Sequence, residues 1–324
     1  MTATPRPINK YSLMSGDELE NHFSNFLIDS WSYSAVATFA RNEKEFERRY
    51  IYCEPSRRSA TTVAGTAYHA ALQHYFECIG STGEEATIAE MQEKAFEVID
   101  NMKANDWKLG KKTPTVEKCV EAATKTANAL ITNFYKERTL YTSDIAEVIA
   151  VEVRTDQWLV VNGVDIPLPC HGQIDLVVKL NDGRIAIIDH KSKSAYTDDA
   201  ELAYTGAKQA IVYALSWESA NPSLPPVDEV WYMENKHSTN KDGSPQLKKM
   251  VIVLDPDTRR LYEAILYEPL RRVMQATQDP DYLYTINGVG QATIMQSEVE
   301  GIPLSKVIEF AKPKACLLYT SDAA

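Results

Sequence analysis

The chain reads GQIDLVVKL at residues 172–180, NDG at 181–183 and RIAIIDHK at 184–191. Two segments rich in valine and isoleucine flank an Asn-Asp-Gly turn, whose residues tolerate the positive φ angles that tight turns require. We therefore predict that this stretch forms a β-hairpin with a three-residue loop. The charged residues near its open end become candidates for a functional site.

The pairing across this hairpin decides which side chains face one another. A three-residue loop pairs Leu180 with Arg184 and, counting back along both strands, sets Asp175 opposite Asp189. Lys191 shares a face with Asp189, because alternate residues of a strand point to the same side. A two-residue loop would slip the register by one and send the two aspartates to opposite faces. The longer loop thus predicts a carboxylate pair.

Two carboxylates that face each other repel, since their Cβ atoms lie ~5 Å apart, unless a cation sits between them. A divalent metal such as Mg²⁺ fits this position, because it prefers oxygen ligands and leaves sites for substrate phosphate. The alternative is that Asp175 and Asp189 are solvated and that Lys191 neutralises them. The apolar run at 185–188 argues against wide exposure, because it is typical of a strand buried on both faces.

Four short motifs follow one another along the chain. They are GTAYH at 65–69, GQID at 172–175, DHK at 189–191 and QAIVY at 209–213. In this order they make the region from about 45 to 215 resemble the PD-(D/E)XK nuclease superfamily. The wider pattern is similar to its RecB-like exonuclease branch, which also includes CRISPR-adaptation nucleases and phage exonucleases.

The resemblance implies a role for each motif. His69, Asp175, Asp189 and the backbone carbonyl of His190 would bind Mg²⁺ or Mn²⁺, Lys191 would be the catalytic lysine, and Gln209 and Tyr213 would hold a DNA strand or orient that lysine. Glu152, on a strand-like run before the hairpin, is a weaker candidate for an auxiliary metal ligand or a water-positioning group.

Several of these residues, taken alone, would suit a purely structural role equally well. A lone histidine on an apolar helix is more often a core residue than a ligand, so only the order of the motifs indicates that His69 is a metal ligand. Gln209 and Tyr213 lie on one helical face, where they would also serve to cap a helix packed on the sheet. Glu152 fits just as well as one exposed carboxylate of an alternating strand.

The resemblance also implies a fold and an activity. The fold is α/β, a restriction-endonuclease-like core with a central mixed β-sheet flanked by helices, plus a helical insertion, which agrees with the order of the predicted elements. The activity is that of a metal-dependent DNA exonuclease, acting in DNA recombination, repair or phage DNA processing and leaving 5′-phosphate and 3′-hydroxyl ends. The alternative is a non-catalytic DNA-end-binding or recombination-accessory module. A helicase or a single-strand annealing protein would be a further partner.

Some members of this branch hold an iron-sulfur cluster with one cysteine before the histidine motif and three near the C-terminus. Here Asn42 stands at the first of these positions, and the five cysteines are scattered singly with no C-x-x-C pair. We therefore expect no iron-sulfur cluster. Scattered cysteines also agree with a reducing cytoplasm.

Composition and charge limit the class of protein. With 324 residues, of which 44% are hydrophobic, the chain can bury a substantial core. No run approaches the ~18 apolar residues of a membrane span, so we expect a cytoplasmic location in a bacterial or phage-infected cell and no membrane contact. The net charge of −11 limits loose binding to nucleic acid, but phosphate contacts depend on local cations. Arg57, Arg58 and Lys193 lie near the motifs and are our candidates for DNA-backbone contacts.

The patterning divides the chain into five segments. We expect an N-terminal helical part with the histidine motif at 1–79, a helical insertion beside the cleft at 80–146, the nuclease core at 147–285 and a C-terminal segment at 286–314. Residues 315–324 resemble translated sequencing-adapter read-through and take no part in the fold prediction. Helices are predicted over 17–50, 62–79, 84–102, 115–137, 200–219 and 258–278, and strands over 147–191, 229–234 and 248–254, with a second hairpin at Asn162-Gly163.

Overall fold

A mixed five-stranded β-sheet forms the centre of the fold. The structure, a computed structural model, describes residues 7–285. Its strands are β1 (Ile145–Gln157), β2 (Val160–Val161), β3 (Val164–Asp165), β4 (Cys170–Leu180), β5 (Ile185–Lys193), β6 (Glu229–Thr239) and β7 (Pro245–Val253). β1, β4, β5, β6 and β7 form the sheet in that spatial order, and β2 pairs with β3 in the predicted second hairpin.

Helices precede the sheet, connect β5 to β6 and follow β7. They are α1 (Gly16–Phe23), α2 (Tyr33–Arg41), α3 (Glu43–Phe46), α4 (Ala60–Thr82), α5 (Ile88–Asp100), α6 (Val116–Glu137), α7 (Thr139–Thr142), α8 (Asp199–Glu201), α9 (Ala207–Ala220) and α10 (Pro256–Gln278). A π-helical turn, Leu202–Gly206, joins α8 to α9. The predicted α/β class is therefore confirmed.

The hairpin of β4 and β5 has the predicted register. The two strands are antiparallel, with Leu176 opposite Ile188. The N–H of Leu180 donates a hydrogen bond to the carbonyl of Arg184 at 2.8 Å, and Gly183 closes the turn with a φ of 89° that favours glycine. One residue further from the turn than the pair of Leu176 and Ile188, this register places Asp175 opposite Asp189.

The strand after the hairpin returns parallel to β5. β5 and β6 pair in parallel, whereas β6 and β7 are antiparallel, so the sheet is mixed as predicted. The connection contains α8 and α9, since parallel neighbours need a crossover of a dozen or more residues. The apolar run at 185–188 is fully buried between the flanking layers, which confirms the prediction of a strand covered on both faces.

One face of the sheet packs against α4 and α6, and α5 packs on these two helices. Tyr68 of α4 and Leu130 of α6 share a core cluster with Leu176, Ile188 and Trp231 of the strands. The segment predicted as an insertion beside the cleft thus contributes α5 and α6 to the main hydrophobic core. The sequence did not indicate this role, because amphipathic periodicity identifies an apolar face but not the surface that covers it.

Two helix boundaries differ from the predictions. The helix predicted over 17–50 is interrupted, because Ser32 and Asn42 each accept a hydrogen bond that starts a new helix. The break predicted at 80–83 comes later than expected. Gly80 remains helical, and α4 ends where Gly83 takes a left-handed φ of 76°.

The described residues form two compact units. One comprises 57–155 and 173–259, and the other comprises 7–56, 156–172 and 260–285. The predicted boundaries after residues 79 and 146 both fall within the first unit, and the domain division made from the sequence stays a prediction. The segments 286–314 and 315–324 lie outside the described residues. No helix among residues 7–285 combines the length and apolarity needed to cross a membrane.

Candidate metal centre and active site

Three side chains that offer metal ligands converge in the first unit. They are His69 from α4, Glu152 from β1 and Asp175 from β4, and one ligand atom of each lies within 4.8 Å of the others. His69 Nδ1 is 3.3 Å from Asp175 Oδ2. One imidazole and two carboxylates are a donor set that could hold a divalent metal ion.

The start of α4 brings His69 to the hairpin. The helix begins after Ser59, whose hydroxyl accepts a hydrogen bond from the N–H of Thr62. Gly65 lies one turn before His69 on the same helical face, and a Cβ at this position would come within 2.9 Å of Ser192 Oγ on β5. The absence of a side chain at Gly65 therefore allows the close approach of α4 to the strand that carries Asp189.

Glu152 occupies an unusual backbone position. Its φ of 48° lies in the left-handed region, which is costly for a residue with a side chain and is found most often at functional sites. The side-chain amide of Gln173 donates a hydrogen bond to its Oε2. Burial and the neighbouring charge of Asp175 raise the pKa of Glu152 to about 7. A cation at this position would relieve the repulsion between the two carboxylates.

Asp175 and His69 stabilise each other as an ion pair. Asp175 Oδ2 accepts a hydrogen bond from the backbone N–H of His190 at 2.7 Å. Burial alone would raise the pKa of Asp175, but the charge of His69 and the hydrogen bonds hold it well below its usual range. Burial alone would lower the pKa of His69, but Asp175 raises it to about 9. A metal ion that bound here would have to displace the proton of His69.

Asp189 is the centre of a second group of predicted residues. Its side chain is buried, and its Oδ1 accepts a hydrogen bond from the hydroxyl of Tyr213 at 2.8 Å. The amide of Gln209 donates to the same hydroxyl at 2.7 Å. Lys191 Nζ lies 2.7 Å from Asp189 Oδ2. The structure thus brings four predicted site residues into one connected network.

The ammonium group of Lys191 lies at the edge of this network. Burial would lower its pKa, but the charges of Asp189 and Asp175 raise it above the usual value, so the group stays protonated. In the same contact, burial raises the pKa of Asp189 and Lys191 opposes that shift. The Lys191 side chain is 32% exposed, and its charge therefore remains accessible to a phosphate group.

The candidate DNA contacts lie at the end of β5, beyond Lys191, and in the segment before α4. Lys193 Nζ is 3.6 Å from Glu234 Oε1. Arg57 is exposed just before α4, and the backbone N–H of Arg58 donates to the carbonyl of Asp106 at 2.7 Å. Within the described residues, no contact joins Arg57 to the carboxylate cluster.

Two residues of this region were given no role from the sequence. Gln173 holds Glu152, and its position two residues before Asp175, on the same face of the strand, was the available signal. Glu234 is 1% exposed, and it lies opposite Lys191 in the backbone pairing of β5 with β6. No pattern in the sequence indicates Glu234, because its importance arises from a pairing between distant strands.

Residues 30–285 match the PD-(D/E)XK nuclease superfamily. Comparison with curated proteins gives no match. Among solved structures, the chain is similar to a "putative exonuclease" from Eubacterium rectale, with 12% identity and a TM-score of 0.46 over 81% of this chain and 86% of that one. It is also similar to SSO0001, with 11% identity and a TM-score of 0.26 over 66% of this chain and 77% of that one.

Proposed function

Because this chain belongs to the PD-(D/E)XK nuclease superfamily, whose members are nucleases, we propose that it is a Mg²⁺- or Mn²⁺-dependent deoxyribonuclease that degrades DNA from its ends. The observation that carries this proposal is the arrangement of two groups of side chains at one end of a single hairpin. His69, Glu152 and Asp175 form the first group, and Asp189, Lys191, Gln209 and Tyr213 form the second.

The first part of the proposal concerns the metal ligands. His69, Asp175, Asp189 and the backbone carbonyl of His190 would hold the ion, with Glu152 as an auxiliary ligand. The raised pKa values of Glu152 and His69 support this choice, because both reflect the negative charge of neighbouring carboxylates, which a bound cation would compensate. When bound, such an ion polarises the scissile phosphate and lowers the pKa of a coordinated water.

The proposed role of Lys191 is electrostatic. The ammonium is protonated in the metal-free protein and partly exposed, which suits it to bind a non-bridging phosphate oxygen. Negative charge develops on that oxygen in the transition state, where a fixed cation in a partly buried site stabilises it most. Asp189 holds the ammonium in place through the 2.7 Å contact.

Gln209 and Tyr213 act as positioning residues in this proposal. Tyr213 fixes one oxygen of Asp189 and leaves the other for Lys191, and Gln209 orients the phenol. Both lie on α9, one turn apart, so the crossover helix presents them together to β5. A direct contact of either side chain with the DNA strand is the alternative role.

DNA is the proposed partner, with Arg57, Arg58 and Lys193 as contacts to its backbone. A helicase or a single-strand annealing protein would supply or receive the processed end. The proposed setting of this activity is the cytoplasm, in recombination, repair or phage DNA processing.

The test is incubation of the purified protein with end-labelled linear DNA and covalently closed circular DNA, in Mg²⁺, Mn²⁺ or EDTA. We expect metal-dependent loss of linear DNA with circles intact, and no loss of either substrate with Asp189→Ala. Cleavage of circles would make the protein an endonuclease. Binding to DNA ends without cleavage in either metal would instead favour the non-catalytic end-binding module.

A further inference from the structure

A group of lysines crosses three strands beside Lys191. Lys193 of β5 pairs with Lys236 of β6, and Lys248 of β7 pairs with Glu234 of β6. We call Lys193, Lys236 and Lys248 the lysine strip. Neighbouring strands are ~4.8 Å apart, and Lys193 lies two residues after Lys191 on the same face. The strip therefore starts next to the catalytic lysine and extends away from it across the sheet.

An exposed aromatic ring lies over the strip. Tyr196, in the loop after β5, is 36% exposed. Lys236 Nζ lies 4.7 Å from the centroid of its ring, and Lys248 Nζ lies 6.0 Å from it. The ring is thus supported by cations and remains accessible to solvent.

A buried carboxylate fixes the loop that carries this ring. Glu234 Oε2 accepts a hydrogen bond from the N–H of Thr197 at 2.9 Å, and its other oxygen accepts one from the Thr197 hydroxyl. Lys248 Nζ donates to the carbonyl of Thr197 at 3.3 Å. Tyr196 is therefore attached to an anchored residue, which reduces the entropy lost when a ligand packs on its ring.

We propose that Tyr196 and the lysine strip bind a single-stranded segment of DNA directly adjacent to the scissile phosphate. A base stacks on the ring of Tyr196, and the lysines contact the phosphates that follow. Grooves that hold single strands combine an aromatic ring with cations along the backbone, because an unpaired base offers its face whereas a base inside a duplex does not. This inference rests on the proposed nuclease function and adds the form of the substrate at the site.

The competing role for the cation–π contacts is to hold the loop in place and nothing more. They would then contribute to stability, as such contacts do at exposed sites, without any effect on DNA binding. The carboxylate of the nearby residue Asp198 caps α8, because it accepts a 2.8 Å hydrogen bond from the N–H of Glu201. Its presence beside Tyr196 therefore favours neither of the two roles. Binding measurements that report base stacking separate the two roles.

The first measurement uses a single-stranded oligonucleotide that contains 2-aminopurine, in Ca²⁺ so that cleavage does not interfere. We expect Tyr196→Ala to weaken binding by about 5- to 150-fold, the range for loss of one base–aromatic stack. The fluorescence quenching of the stacked base should be lost as well. Tyr196→Phe keeps the stacking face and should bind within about twofold of wild type. Affinity for a covalently closed duplex circle should be unaffected by either substitution.

The second measurement tests the strip through its salt dependence. Each phosphate contact in a single strand contributes about 0.7 to the slope of log affinity against log salt. The double variant Lys236→Ala with Lys248→Ala should therefore lower the slope by about 1.4. Lys125→Ala, an exposed lysine on α6, is the control and should leave the slope unchanged.

Wild-type affinity and quenching in Tyr196→Ala would overturn the inference. Photocrosslinking of wild-type protein to an oligonucleotide with 5-iodouracil avoids any folding defect of the variants, and the absence of an adduct on Tyr196 would also count against it. Quenching without cleavage in Mg²⁺ or Mn²⁺ would refute the nuclease proposal alone. Cleavage together with Tyr196-independent binding would refute the single-strand inference alone.

Discussion

Asp189 and Lys191 form the contact on which cleavage depends most directly in the proposed mechanism. Replacement of Lys191 by methionine removes the ammonium but keeps most of the side-chain volume. We expect the single-turnover cleavage rate to fall by about 10²- to 10⁴-fold, as for the loss of a group that stabilises transition-state charge or transfers a proton. Lys125→Met is the matched control on an exposed helix face, and cleavage at the wild-type rate by Lys191→Met would contradict the assignment.

Metal affinity should increase with pH. The pKa of His69 is raised to about 9 in the metal-free protein, and a coordinating imidazole must be neutral, so below that pH the ion has to displace a proton. We expect Mn²⁺ affinity to rise by about tenfold per pH unit between about pH 7.5 and 8.5, because one proton is released. Calorimetry of Mn²⁺ binding in two buffers of different ionisation enthalpy measures the number of protons released.

His69→Asn provides the control for this pH dependence, since it removes the titrating ring. The part of the proton release between about pH 7.5 and 8.5 that comes from His69 should be lost in this variant, and the release that remains should come from Glu152, whose pKa the charge of His69 lowers in the wild type. Below about pH 7, Glu152 adds a second proton to the linkage, because its pKa is raised to about 7. Affinity that does not change with pH in the wild-type protein would contradict the ligand set.

The left-handed backbone of Glu152 predicts a difference between two substitutions that both remove the carboxylate. Glycine adopts a φ of 48° without the cost that a Cβ imposes, which is roughly 1 kcal/mol. Glu152→Gly should therefore be more stable than Glu152→Ala by about 1 kcal/mol, measured by urea unfolding. Both should bind Mn²⁺ more weakly than wild type. Equal stability of the two variants would show that this backbone position carries no strain.

At the scale of elements, the approach of α4 to β5 determines where His69 lies. A Cβ at Gly65 would stand 2.9 Å from Ser192 Oγ, so the hydroxyl must rotate away to admit alanine. Alanine is favoured over glycine within a helix by about 1 kcal/mol. In a protein that also carries Ser192→Ala, we expect Gly65→Ala to raise the free energy of unfolding by most of that amount. In the wild-type background, we expect a smaller increase. A double-mutant cycle by thermal unfolding measures this coupling.

The hairpin was predictable from the sequence because both of its determinants are local. The Asn-Asp-Gly turn sets the loop, and the alternation of side chains then fixes the faces of Asp175 and Asp189. The crossover through α9 was predictable because the helix predicted over 200–219 lies between two predicted strands, and a connection of this length allows those strands to be parallel neighbours. The left-handed φ of Glu152 has no such local signal, because the position carries neither glycine nor asparagine.

The helical layer shows the limit of prediction from patterning. The residues of α5 and α6 have clear amphipathic periodicity, but periodicity does not specify which surface covers the apolar face. The sequence therefore placed 80–146 beside a cleft, whereas α5 and α6 share the core with the sheet. The pairing of Glu234 with Lys191 was missed for the same reason, because it joins residues of separate strands.

At the scale of the whole molecule, a net charge of −11 requires that attraction to DNA be local. The candidate ligands and Lys191 all lie in the first compact unit, where the carboxylates add to the negative potential until a cation binds. A metal ion therefore has two functions in the proposed mechanism: it supports the chemistry, and it makes the site attractive to phosphate. The lysine strip provides the remaining positive charge beside the site.

The most direct test of this proposal is the single-turnover release of nucleotide from end-labelled linear DNA, with wild-type protein and Asp175→Asn, each in Mn²⁺ and in EDTA. Asp175→Asn keeps the size of the side chain and removes the charge that pairs with His69. We predict release by the wild type in Mn²⁺ only, and a rate at least about 100-fold lower for Asp175→Asn in the same buffer. Release at equal rates by the two proteins, or release by the wild type in EDTA, would contradict a metal-dependent nuclease centred on these residues.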